Sequence, residues 1–234
     1  MAEVNSRQSV KNGQKIFRLL KSLGIADVKD VEIARQHMFE TIHDPKRRAV
    51  IDQEIEEQRE HFDNLELHIG YVYGSSEIPS HASHYSPKYI PGARLPHVWI
   101  EPKSTLTKFG SLPPAVDVSY VKQLNHEEIT LRRYSSLDLC SFNAFTIIAG
   151  SKSWRALVQE LDAIPRLPEI NVVVLGEDFT LISGHRSDAW IEGCGFKAGG
   201  ALLVRPDQHV LARLNASTTS DDLRKVIEQH LGWL

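Results

Sequence analysis

Apolar residues recur at helical spacing along the first part of the chain. Residues 14–23 place Ile16, Phe17, Leu20 and Leu23 on one stripe that stops at Gly24. A second helix is expected from about Asp30 to His43, with Val31, Ala34, Met38 and Ile42 on its apolar side. Asp44-Pro45 then supplies an N-cap followed by proline at the first helical position. The helix it starts is read with Ile51, Ile55 and Phe62 inward. The acidic run Glu54, Glu56, Glu57 and Glu60 is read as its solvated face.

The period then changes from 3.6 to 2. Leu65, Leu67, Ile69, Tyr71 and Tyr73 alternate onto one side, which predicts an aromatic-rich strand. Residues 74–96 are rich in Gly, Ser and Pro and read as a long connection, the kind that often carries function. A short strand is expected at Val98–Ile100, and Pro113-Pro114 breaks regular structure within 105–135. From there the order is clear: a strand at 143–149, a helix carrying Trp154, Leu157, Val158 and Leu161, and a strand at 171–175. After an irregular stretch come a hairpin, 201–205 with 209–214 around Pro206-Asp207-Gln208, and a helix capped near Ser220. The sum is α/β, a thioredoxin-like β-α-β…β-β-α domain preceded by a small helical segment and the aromatic-rich strand. The divisions expected are 1–64 helical, 65–104 connecting strand and loop, and 105–234 thioredoxin-like.

Composition narrows the function classes. The 234 residues are 41% hydrophobic and 24% charged, an ordinary globular balance. A net charge of −3 argues against a nucleic-acid or anionic-membrane surface. No apolar run approaches the roughly 20 residues that span a bilayer, and the polar start lacks a signal-peptide core. Two cysteines are too few for a secreted disulfide framework. A cytoplasmic protein is the expectation.

A redox thioredoxin needs Cys-x-x-Cys at the start of its first helix. Ser151-Lys152-Ser153-Trp154 stands there instead, so thiol–disulfide chemistry is excluded on position. Residues 193–200, glycine-rich, feed into a strand and not a helix, so they read as a tight turn and not a phosphate cradle. His81, His84 and His97 lack a carboxylate or cysteine at metal-site spacing, and no metal is expected. Histidine beside tyrosine suits proton transfer at neutral pH. Arg205-Pro206-Asp207 reads as an ion pair pinning the hairpin, and Trp154 and Trp190 as core anchors.

Three ordered motifs then carry a resemblance. The sequence from Gly199 to Val210, GGALLVRPDQHV, resembles the carboxy-terminal signature of FAD-dependent aromatic hydroxylases of the phenol 2-monooxygenase group. The run from Pro91 to Ile100, PGARLPHVWI, is similar to the opening of that family's thioredoxin-like C-terminal domain. The stretch from His61 to Tyr73, HFDNLELHIGYVY, looks like the end of its catalytic region. The family's FAD-binding Gly-x-Gly-x-x-Gly, Asp-Gly and Gly-Asp motifs have no counterpart here. The resemblance therefore implies a stand-alone C-terminal portion that binds no cofactor, with a thioredoxin-like domain that makes dimer contacts and is not redox-active.

Two functions follow as expectations. The first is a flavin-free tailoring enzyme doing cyclase, isomerase or dehydratase chemistry on an aromatic or polyketide-like metabolite. Its candidate acid–base groups are His97 and His84, its donors Tyr73 and Tyr85, and its oxyanion stabiliser Arg94. The second is a non-catalytic accessory subunit, pairing as a homodimer or as a heterodimer with a full-length monooxygenase.

Overall fold

A computed structural model describes residues 2–77, 79–103, 106, 112, 114–182, 184 and 187–233. The first proline of the Pro113-Pro114 pair lies outside the described residues. The chain divides into two compact units, one formed by residues 1–71 with 76–86, the other by 72–75 with 87–234.

The helical unit holds α1 (Ala2–Ser22), α2 (Val31–His43), α3 (Pro45–Glu56), α4 (Arg59–Phe62) and α5 (Leu65–Ile69). Its caps follow the sequence closely. The Asp30 carboxylate accepts from the amides of Glu32 and Ile33 to start α2, and Asp44 does the same for Lys46 and Arg47 ahead of Pro45. Its burial does not follow the sequence. The helix expected after Pro45 ends at Glu56, and α4 restarts at Arg59. That break resets the helical phase, so Phe62 is 81% exposed while Glu60, expected in solvent, is 1% exposed. Ile55, Val31 and Phe17 are likewise exposed. The expected strand is also corrected. Residues 65–69 are a helix that buries Glu66 and leaves Leu65 exposed, so the apolar alternation does not set which side faces inward. Only the bridge between Val72 and Ala93 keeps strand character there.

The second unit is built on two sheets. Strands β3 (Phe145–Ala149), β4 (Ile170–Val174), β6 (Ala201–Val204) and β7 (Val210–Leu214) lie in the order β4-β3-β6-β7. The β3–β4 pair is parallel and joined through α7 (Ser153–Gln159), while β3–β6 and β6–β7 are antiparallel. The carboxy-terminal helix α9 (Ser220–His230) starts at a Thr219 capping box. The parallel pair with its crossover helix, the antiparallel pair and the terminal helix are those expected from the sequence. The alternation of each strand sorts its side chains into two cores. Phe145, Ile147, Ala149 and Leu203 pack with Trp154, Val158, Leu223 and Ile227. Ile148, Leu202 and Val204 face the other way, toward Ile100, Phe179 and Trp190.

That second core brings in what the sequence left irregular. A three-stranded sheet runs β2-β1-β5, from β1 (Trp99–Pro102), β2 (Tyr134–Ser135) and β5 (Phe179–Leu181). Two further helices are α6 (His126–Leu131) and α8 (Ser187–Cys194). The indole of Trp190 on α8 donates to the Pro96 carbonyl at 3.0 Å and meets Phe196 edge-on at 5.3 Å.

Candidate functional site

Two of the motifs singled out in the sequence turn out to hold each other. The amides of Gly92 and Leu95 donate to the Val210 and Gln208 carbonyls at 2.8 Å each, and Val210 returns a bond to Ala93 at 2.8 Å. The 92–95 segment is thus an added strand-like edge on the 205–210 hairpin. Gly92 has a φ of 86°, and a Cβ there would stand 2.4 Å from the Tyr73 carbonyl, so glycine is required. Arg94 donates to the Gln208 side chain at 3.2 Å. Tyr73, half exposed, meets His209 at 4.8 Å and carries Arg205 over its ring at 5.2 Å. Arg205 in turn pairs with Asp207, as expected of the hairpin turn.

His97 sits apart from that hairpin contact. Its Nδ1 is 2.7 Å from the Ser135 hydroxyl, and its ring stands edge-on to Trp99 at 4.5 Å. Tyr73, Arg94 and His97 are therefore placed in the sheet unit, in contacts that hold loop to hairpin and strand to strand. His84 and Tyr85 belong to the helical unit.

The helical unit builds a more chemical arrangement around Glu60. Its carboxylate is buried and lies 2.6 Å from both Lys11 and Lys15 of α1. The Ala82 amide donates to it at 3.1 Å, and the His81 Nε2 is 3.5 Å away. Burial by itself would raise the carboxyl pKa. The two ammonium groups and the amide outweigh burial and hold it at about 2, so Glu60 is an anion at neutral pH.

His81 is fixed from both sides. Its Nδ1 accepts from the Ser83 amide at 3.2 Å, so the neutral ring carries its proton on Nε2, toward Glu60. Burial pushes the His81 pKa below its ordinary value, against the pull of Glu60, and His84 and the two lysines push the same way. Neutral His81 then stacks on the exposed ring of His84 at 3.8 Å and 13°. Both imidazoles and Glu60 line a pocket of about 260 Å³, together with Gln53, Glu56, Glu57 and Arg59. The arrangement presents one solvent-accessible imidazole, held flat by a second whose tautomer a buried carboxylate orients. An imidazole so placed is within reach of a molecule in the pocket. The sequence picks out His84 and the His81-x-x-His84 spacing but gives no sign of Glu60, which looks like one more surface acid.

Among the described residues no group of three or more His, Cys, Asp or Glu side chains is placed to hold a metal ion, and no helix is long and apolar enough to cross a membrane. Both cysteines are buried and unpaired. Burial raises the Cys140 thiol to about 12, with Asp138 adding to the effect, and burial raises Cys194 further against the opposing charge of Arg213. Native protein is therefore expected to leave Ellman's reagent unreacted, with both thiols reacting only after unfolding. A fast native reaction of either thiol would contradict this burial.

No family model matches the sequence, and no curated protein matches it either. Solved structures do. The chain is similar to part of the flavin-dependent monooxygenase PieE, solved in complex with FAD and substrate, at a TM-score of 0.63 and 20% identity over 95% of this chain. It is also similar to part of RebC, soaked with chromopyrrolic acid, at a TM-score of 0.51 and 18% identity over 97% of this chain. It spans 37% of the PieE chain and 34% of the RebC chain. At these identities the likeness is one of fold, and it extends through both units.

Proposed function

We propose that this chain is a flavin-free, small-molecule-binding tailoring enzyme of acid–base type, acting by cyclisation, isomerisation or dehydration. The observation that carries the reading is the His84 imidazole, exposed at a pocket and stacked on neutral His81, which Glu60 orients. In this account His84 is the catalytic residue that exchanges a proton with substrate. His81 and Glu60 are positioning residues that set the plane and the protonation of the ring behind it. The substrate class, an aromatic or polyketide-like metabolite, rests on the resemblance of the motifs to aromatic hydroxylases and on the fold shared with parts of two enzymes solved with small molecules.

The test is complementation. Cells lacking the gene are supplied with wild-type chain, His84→Ala or His81→Gln, and the product is quantified. Loss of the acid–base group is expected to lower product at least about a hundredfold. His81→Gln is expected to lower it less and to shift the pH profile, because it removes the support and not the proton carrier. Full product with folded His84→Ala would sink the assignment.

A second reading is a non-catalytic dimerisation or accessory subunit of a full-length FAD-dependent aromatic monooxygenase. It is favoured by the apolar side chains that α2 leaves in solvent, Val31, Ile33 and the 63% exposed Phe39.

A further inference from the structure

The face of α1 that carries Asn5, Gln8, Ser9, Asn12, Gly13 and Ile16 runs at steps of three and four residues and lines a cleft of about 700 Å³ within the helical unit. A helix ordinarily turns its apolar stripe to its neighbours. This one turns three amides, a hydroxyl and a glycine, with Ile16 as its one apolar side chain. The other lining residues are His61, Asn64, Leu67, His68 and Tyr71. No carboxylate, ammonium or guanidinium group is among them, and the volume is within the range of small-molecule sites.

Gly13 is the sharper observation. Glycine inside a helix costs roughly 0.5–1 kcal/mol against alanine. Here a Cβ would meet nothing within 4 Å, so no protein neighbour demands the glycine. The helix carries that cost at a position with open space around it, on the wall of the cleft.

The geometry points to a binding site in this cleft for an uncharged aromatic molecule bearing several hydroxyl or carbonyl groups. Neutral donors and acceptors on Asn5, Gln8, Asn12 and Asn64 match such groups without the desolvation cost of a charge. Ile16, Leu67 and the Tyr71 ring supply apolar contact for the ring system. The cleft shares no lining residue with the His84 pocket, so the inference is independent of the proton-transfer assignment.

The test is a titration of isotope-labelled full chain with quinizarin, an uncharged dihydroxyanthraquinone, and with quinizarin sulfonate, the same rings carrying a negative charge. The side-chain amide signals of Asn5, Gln8, Asn12 and Asn64 are followed by NMR. Quinizarin is expected to shift them saturably, and the sulfonate to bind at least about tenfold more weakly. Gly13→Phe fills the cleft from a position with free space around it. It is expected to weaken quinizarin by at least about tenfold while thermal stability holds or rises. Absence of a saturable shift, equal binding of the sulfonate, or unchanged binding in folded Gly13→Phe would each overturn the proposal.

Discussion

Glu60→Ala is expected to destabilise the helical unit by about 3 kcal/mol, the lower end of what breaking a buried ion pair costs. The carboxylate is 1% exposed and meets two ammonium groups at 2.6 Å and an amide at 3.1 Å. Without it, Lys15 is left almost buried with its charge unopposed, whereas Lys11 is exposed enough to turn to water, which limits the loss. The same group sets a pH dependence. A carboxyl held at about 2 in the folded chain and near 4.5 when unfolded stabilises fully above 4.5, and that contribution is lost as pH falls through about 2. Thermal unfolding by far-ultraviolet circular dichroism, from neutral pH down through that window, should show wild type losing midpoint between these values. Glu60→Gln should start lower and lose less. Parallel curves for the two proteins would show that the carboxylate is not paired as described.

The second large effect is expected at Trp190. Trp190→Ala should cost the sheet unit about 3–5 kcal/mol, the range for emptying a buried aromatic site. The ring is 1% exposed and touches Phe179 and Phe196 edge-on. Its lost hydrogen bond adds little, because the Pro96 carbonyl also accepts from the Ser136 hydroxyl at 2.9 Å and keeps that partner. The cost is therefore a cavity cost, and Trp190→Phe should recover more than half of it. Urea unfolding followed by the remaining tryptophans would measure this. A Trp190→Ala loss within about 1 kcal/mol of zero, a typical surface value, would contradict the packing.

What could be read in advance follows from the range of the signals. The sheet β4-β3-β6-β7 and its helices are legible because its strands are continuous apolar runs or alternate cleanly, its helices repeat cleanly, and Gly150, Pro165, Pro206 and Ser220 punctuate them. The sheet β2-β1-β5 was mostly not, because strands of two to four residues carry too few positions for a period. In the helical unit, nothing local in the sequence marks the break at Glu57-Gln58, and a single helical phase across it places Phe62 inside and Glu60 outside, the reverse of their places. The site suffered in the same way. His84 was visible as an imidazole on a long loop, but Glu60 gains its meaning only from Lys11 and Lys15, far away in sequence. Arg94 and Tyr73 lie in motifs that resemble a known family, yet their contacts tie the loop to the hairpin.

The proposed chemistry moves protons and adds no oxygen, and that distinction is directly measurable. Comparing the metabolites of producing cells with and without the gene tests it, with mass spectrometry on the compound that accumulates. The acid–base account predicts an isomer or a hydrate of the final product. An accumulated compound lacking one oxygen atom would contradict it and assign the chain to the support of a separate monooxygenase.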